Sequence, residues 1–74
     1  MDLLDLLLRD QHADARRQLR DALDRDLPAV EEVAFNVFDV TLDREANEAR
    51  VFDVLDGNAP PTVVTLDELR HRLA

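Results

Sequence analysis

The sequence predicts a small α+β domain in the order α-β-β-(β)-α, an antiparallel hairpin or three-stranded meander packed against a long N-terminal helix and a short C-terminal one. Three observations predict it. Residues 2–26 run without Gly or Pro through Leu, Ala, Arg and Gln, all good helix formers. Residues 33–56 alternate Val and Phe with polar side chains on either side of a polar break, the pattern of a half-buried hairpin. Thr65-Leu66-Asp67-Glu68 reads as a capping box, in which a Thr side chain and a Glu carboxylate satisfy each other's helix-end amides.

The first helix is expected over about residues 2–26. Asp2 is its N-cap, and Leu27 before Pro28 ends it, because a residue preceding proline is driven out of the α region. Opposite charges recur four apart as Asp5 with Arg9, Arg17 with Asp21, Asp21 with Arg25 and Arg20 with Asp24, each worth about 0.2 to 0.5 kcal/mol on an exposed face. Leu4, Leu8, Ala15, Leu19, Ala22 and Leu23 form one apolar stripe, interrupted by a polar gap at Asp10 to Asp14. Leu3, Leu4, Leu6, Leu7 and Leu8 cover more than one face. Such a segment is buried all round, either between the sheet and the last helix or at a subunit contact.

The first strand is expected over about residues 32–43. Its apolar positions change phase: Val33, Phe35 and Val37 are odd, whereas Phe38, Val40 and Leu42 are even. A long strand with its two ends buried on opposite faces, or a β-bulge near Val37, accounts for this. Glu45-Ala46-Asn47 suits a three-residue turn with Asn47 in the left-handed region. That turn pairs Arg44 with Glu48, Leu42 with Arg50, Val40 with Phe52 and Phe38 with Val54, and sets Asp39 opposite Asp53. The second strand spans about residues 48–56. After Asp56 to Pro61, a turn and a stop, a short third strand at about 62–65 places Val64 beside Val54, and the final helix covers about 66–73 with Leu66, Leu69 and Leu73 on one face.

The chain has 74 residues, no cysteine and a net charge of −8, and every basic residue is arginine. A fold this small hides only about 60% of its unfolded surface, so self-association is expected on size alone. Residues 1–27 carry seven acids and five arginines, residues 28–61 eight and two, and residues 62–74 two of each. The acidity belongs to the hairpin. Direct binding to nucleic acid or an anionic membrane is disfavoured by that sign. The aspartate-heavy, lysine-free bias follows from a GC-rich genome, with a high-salt cytoplasm as the alternative. The leucine-rich start is broken by Asp5 and reads as neither a signal peptide nor a membrane span, so a cytoplasmic protein is expected.

Chemistry-bearing residues are sparse. Serine and cysteine are absent and there is one glycine, which leaves no nucleophile of the usual kind and no Gly-rich phosphate loop; no cofactor and no enzymatic activity are expected. Asp39 and Asp53, with Asp43 and Asp56 near, are the weak candidates for a divalent-cation site, and solvated strand aspartates are the commoner situation. His12 stands alone, and His71 with Asp67 and Glu68 makes at most half a metal site. Val-Phe-Asp-Val occurs at 37–40 and at 51–54, a coincidence of strand composition.

The functional expectation is a non-enzymatic protein interaction or adaptor module, self-associating as a homodimer or meeting a partner protein. Its surface would be the second face of the hairpin, Val33, Phe35, Val37, Val51 and Leu55, or the exposed first strand, flanked by Glu31, Glu32, Asp43, Glu45 and Glu48. The alternatives are an acidic inhibitor of a basic partner, such as an immunity protein, antitoxin or nucleic-acid mimic, and a divalent-cation-binding domain.

Overall fold

A computed structural model of the protein describes residues 2–25 and 28–74, the side chains of residues 10–13 lying outside that description. Along the chain come α1 (Leu3–Leu23), β1 (Val30–Ala34), β2 (Phe38–Asp43), β3 (Glu48–Asp53), β4 (Thr62–Thr65) and α2 (Leu66–Leu73). The four strands form one antiparallel sheet in the order β1-β2-β3-β4, so the meander has a strand more than expected.

Asp2 caps α1 by accepting from the Asp5 amide at 2.9 Å. The helix closes at Leu23, where the Asp24 amide donates to the Arg20 carbonyl, earlier than the expected end near Asp26. The Asp26-Leu27 step and the side chains of the polar gap from Asp10 to Ala13, His12 among them, fall outside the described residues, while the backbone of α1 runs through the gap. Leu4, Leu7 and Leu8 are buried in the chain's own core, with Leu3 and Leu6 packed against it. The leucine-rich start therefore takes the first of its two readings.

Arg20 leaves the surface of α1 to donate to the Leu73 carbonyl, and Arg25, just beyond the helix, pairs with Glu31, whereas Arg17 stays on the helix surface and pairs with Asp14 at 3.2 Å. Among the described residues, Arg17 and Arg20 do not take the partners expected four residues away. Carbonyls at helix ends have no partner inside the helix. A guanidinium that reaches one gains a charge-assisted bond, stronger than an exposed ion pair.

The expected first strand is two. The Phe35 amide donates to the Phe38 carbonyl at 2.8 Å, and the chain reverses about Asn36 and Val37. Reversal explains the phase change without a bulge. With Val33 opposite Val40 and Glu31 opposite Leu42, odd residues of β1 share a face with even residues of β2.

The second hairpin is shifted by one residue from expectation. Asp43 pairs with Glu48, Leu42 with Ala49, Val40 with Val51 and Phe38 with Asp53, leaving Arg44 to Asn47 as the turn. Asn47 does take a left-handed backbone, φ 57°, and the Ala46 amide donates to Asp43 Oδ1 at 3.0 Å. Arg44 is the cause of the shift. Its amide donates to the Ala29 carbonyl at 2.7 Å, and its guanidinium donates to the carbonyls of Ala22, Arg25 and Pro28, so it is held toward β1 and α1 and cannot pair with Glu48. A shift of one residue exchanges the two faces of a strand. Ala49 and Val51 become core, while Arg50 and Phe52 turn outward.

β4 occupies the expected residues but pairs Val64 with Ala49 rather than with Val54. Thr65 then caps α2, its Oγ1 accepting from the Glu68 amide at 3.0 Å. Glu68 does not complete the box; its carboxylate takes Arg72 at 3.0 Å.

Both helices lie on one face of the sheet. Leu4, Leu7, Leu19 and Ala22 of α1 and Leu69 and Leu73 of α2 share one core with Phe38, Val40, Leu42, Ala49 and Val51. Burying each of the larger side chains stabilises the fold by about 1.5 to 3 kcal/mol. Among the described residues, none covers the opposite face.

Candidate functional site

The uncovered face is a grid of alternate strand residues. The registers place Val30, Asp43, Glu48 and Thr65 in one row, Glu32, Thr41, Arg50 and Val63 in the next, and Ala34, Asp39 and Phe52 in the third. Among its apolar members Phe52 is 37% exposed, Val63 52% and Val30 51%. At one end, Leu55 stands 79% exposed on a turn held by its own amide bond to Asp53 Oδ1.

Four carboxylates and one guanidinium share this face. Asp43 and Glu48 sit directly opposite each other, a pairing that repels. Arg50 answers both, at 2.7 Å from Glu48 and 3.8 Å from Asp43. Among the described residues, Glu32 and Asp39 make no ion pair. The face therefore keeps a negative excess, concentrated toward β1 and β2.

Arginine is gathered on the other side. Arg70 donates to the Leu23 carbonyl at 2.7 Å, Arg16 to the Arg72 carbonyl at 3.1 Å, and Arg72 bridges Asp2, Asp5 and Glu68. Burial pushes the Asp2 carboxyl up, but the Asp5 amide and the Arg72 guanidinium outweigh it and hold it below its ordinary range. Glu31 is held low by its hydrogen bond to Arg25 against an opposing effect of burial, with Arg44 adding to the lowering. These guanidiniums tie the helices to each other and to β1. The chain thus has an arginine-stitched helical side and an acidic open sheet.

The expected partner-binding residues do not form one surface. Val51 is fully buried, and Val33, Phe35 and Val37 pack partly against the same core; only Leu55 is well exposed. Among the acids, Glu32, Asp43 and Glu48 do share the open face, Glu45 stands exposed in the turn, and Glu31 turns to the core side, where Arg25 and Arg44 engage it. Asp39 pairs with Phe52, and Asp53 with Phe38, so the two aspartates lie on opposite faces and the cation-binding pair is not assembled. Among the described residues no group of three or more His, Asp or Glu side chains is placed to hold a metal.

Phe52 and Arg50 were missed because each needs the true register, and Val30 because it needs the reversal between β1 and β2; Val63 follows from the alternation of β4 alone. The signal was present in Ala49 and Val51, whose spacing matches Val40 and Leu42, but the larger Phe52 drew the assignment. The repeated Val-Phe-Asp-Val makes the point within one motif: Phe38 is buried and Phe52 is exposed.

No helix of the described residues is long and apolar enough to cross a membrane. Comparison of the chain with protein-family models, with curated proteins and with solved structures finds no match.

Proposed function

We propose that this protein is a non-enzymatic interaction module that holds a basic partner protein against its sheet. The observation that carries this reading is the uncovered face, on which Phe52, Val63 and Val30 stand exposed among Glu32, Asp39, Asp43 and Glu48. Apolar anchors surrounded by one sign of charge suit a partner with apolar side chains in a cationic rim: the anchors supply contact and the charge supplies orientation and encounter rate. The chain's own guanidiniums support the choice of sign: among the described residues Arg50 is the one that lies on the open face, while Arg16, Arg70 and Arg72 engage the helical side. Catalysis has no comparable support, because neither serine nor cysteine is available. The acidic-inhibitor reading is the form this function takes if the partner is an enzyme or toxin.

Self-association is the second reading. Through the open face it would set the carboxylates of one copy against those of another, which favours the basic partner over a second copy.

A photo-crosslinking side chain placed at Thr41 or Val63 on the open face, and at the exposed Asp67 on α2 as the reference, tests the reading in the native host. Discrete adducts with a basic protein from positions 41 and 63, and none from 67, are expected. Adducts from position 67 alone, or only with a second copy of the chain, overturn it.

A further inference from the structure

β1 is an edge strand with an acidic groove beside it. The Arg44 amide bonds the Ala29 carbonyl and the Phe35 amide bonds the Phe38 carbonyl, which fixes the hydrogen-bonded positions at both ends of the β1–β2 ladder. Bonded pairs alternate in an antiparallel ladder. Glu31 and Val33 therefore turn their main-chain groups toward β2, and Val30, Glu32 and Ala34 turn theirs off the edge. Among the described residues no strand pairs on that side.

Beneath the edge, Gln18 and Asp21 of α1, Arg25 just beyond that helix, and Glu31, Glu32, Val33 and Ala34 of β1 line an open groove of about 320 Å³. Side chains of an added strand would alternate between this groove and the open face next to Glu32. In the groove, Glu31 is shared by Arg25 and Arg44, and Asp21 acts on Arg25 as well. Glu32 borders the groove too and, among the described residues, makes no ion pair; on the open face Glu32 and Asp39 lie nearest.

We infer that an extended, basic segment of a partner protein adds to β1 as a fifth strand, its cationic side chains set against Glu32 on the open face and its alternate side chains turned to the groove. This rests on the interaction-module reading and names the mode of binding. Three features select β1 and this occupant. β4, the other edge, is shorter, follows Pro60 and Pro61, and has its first residue engaged by the Leu3 amide, which donates to Thr62 Oγ1 at 3.0 Å. A second copy is rejected, because antiparallel pairing of two β1 edges about their common centre places Glu32 against Glu32, and like charges directly opposite destabilise. An acidic strand is rejected for the same reason. A cationic strand gains main-chain bonds from the edge and opposite charge from its flanks.

The test uses a capped hexapeptide, Arg-Val-Arg-Val-Arg-Val, titrated into the isotopically labelled protein while amide resonances are followed. Shifts are expected at Val30, Glu32 and Ala34, weakening as salt rises. Methylating the peptide's alternate amides that face the edge removes its donors and should weaken binding about tenfold or more. Glu32→Pro, which removes a donor from the open edge and none from the β1–β2 ladder, should do the same, and Glu32→Gln should weaken binding less. Shifts that centre on Val63 and Thr65, equal binding by the methylated peptide, or no binding at millimolar peptide each overturn the inference. Because crosslinking from positions 41 and 63 does not depend on strand addition, it survives such a result if only the mode of binding is wrong.

Discussion

The guanidinium of Arg44 meets the carboxylate of Glu31 at 2.9 Å, both side chains largely withdrawn from solvent. From that position Arg44 also closes the end of α1 through the Ala22 carbonyl and holds the following segment through the carbonyls of Arg25 and Pro28. A planar guanidinium with several donors fits this role and an ammonium does not. Arg44→Ala is expected to lower stability by on the order of 1 to 3 kcal/mol, since it leaves the carbonyls of Ala22, Arg25 and Pro28 without their donor while Glu31 keeps Arg25. Arg44→Lys should recover less than half of the loss in urea titrations; full recovery would show that charge alone is sufficient.

Glu31 makes stability depend on acid. Its carboxyl is held below the ordinary value chiefly by the hydrogen bond to Arg25, and the unfolded chain returns it to about 4.3. The stabilisation is therefore complete above that value and is lost as pH falls through the lower folded value. Melting temperatures are expected to hold from neutrality to about pH 5 and then fall. Glu31→Gln should start lower and fall less steeply between about pH 5 and pH 3. Parallel acid limbs for the two proteins would rule out this contribution.

Register sets opposite costs for neighbouring residues. Val51 is fully buried, and Phe52 lies on the uncovered face. Val51→Ala should cost about 2 kcal/mol, near the lower end for deletions of core methyl groups, whereas Phe52→Ser should stay within about 1 kcal/mol in the isolated protein. The reverse order in denaturant titrations would restore the other register, with Val40 opposite Phe52.

Asn47 carries the left-handed residue of the second turn, φ 57°. Asn47→Ala is expected to destabilise by about 1 to 2 kcal/mol and Asn47→Gly by less than about 0.5 kcal/mol, following the cost of a Cβ in that region. Thermal melts of the two variants give the comparison, and equal losses would place the strain elsewhere.

Local chemistry was legible in the sequence where it acts over a few residues. The Asp2 cap, the Thr65 cap of α2, the left-handed Asn47 and the extent of β4 all rest on interactions between near neighbours. The reversal at Phe35 to Phe38 has no glycine or proline, and its one mark was the odd-to-even phase change, which a bent strand also produces. The register of β3 was hidden for a different reason. It depends on Arg44 being drawn under α1, a contact across residues 22 to 44 that no local pattern encodes. The candidate site inherited this error, keeping Glu32, Asp43 and Glu48 while assigning Val51 to the surface and Phe52 to the interior.

One face of the sheet is left open by the described residues and carries a negative excess. Broadening of side-chain resonances by a neutral gadolinium chelate, applied to the isolated protein at high micromolar concentration, measures this directly. Strong broadening is predicted for the Val30 and Val63 methyls and the Phe52 ring, with Val40 and Val51 methyls staying sharp. Val63 and Phe52 as well protected as Val40 would contradict it.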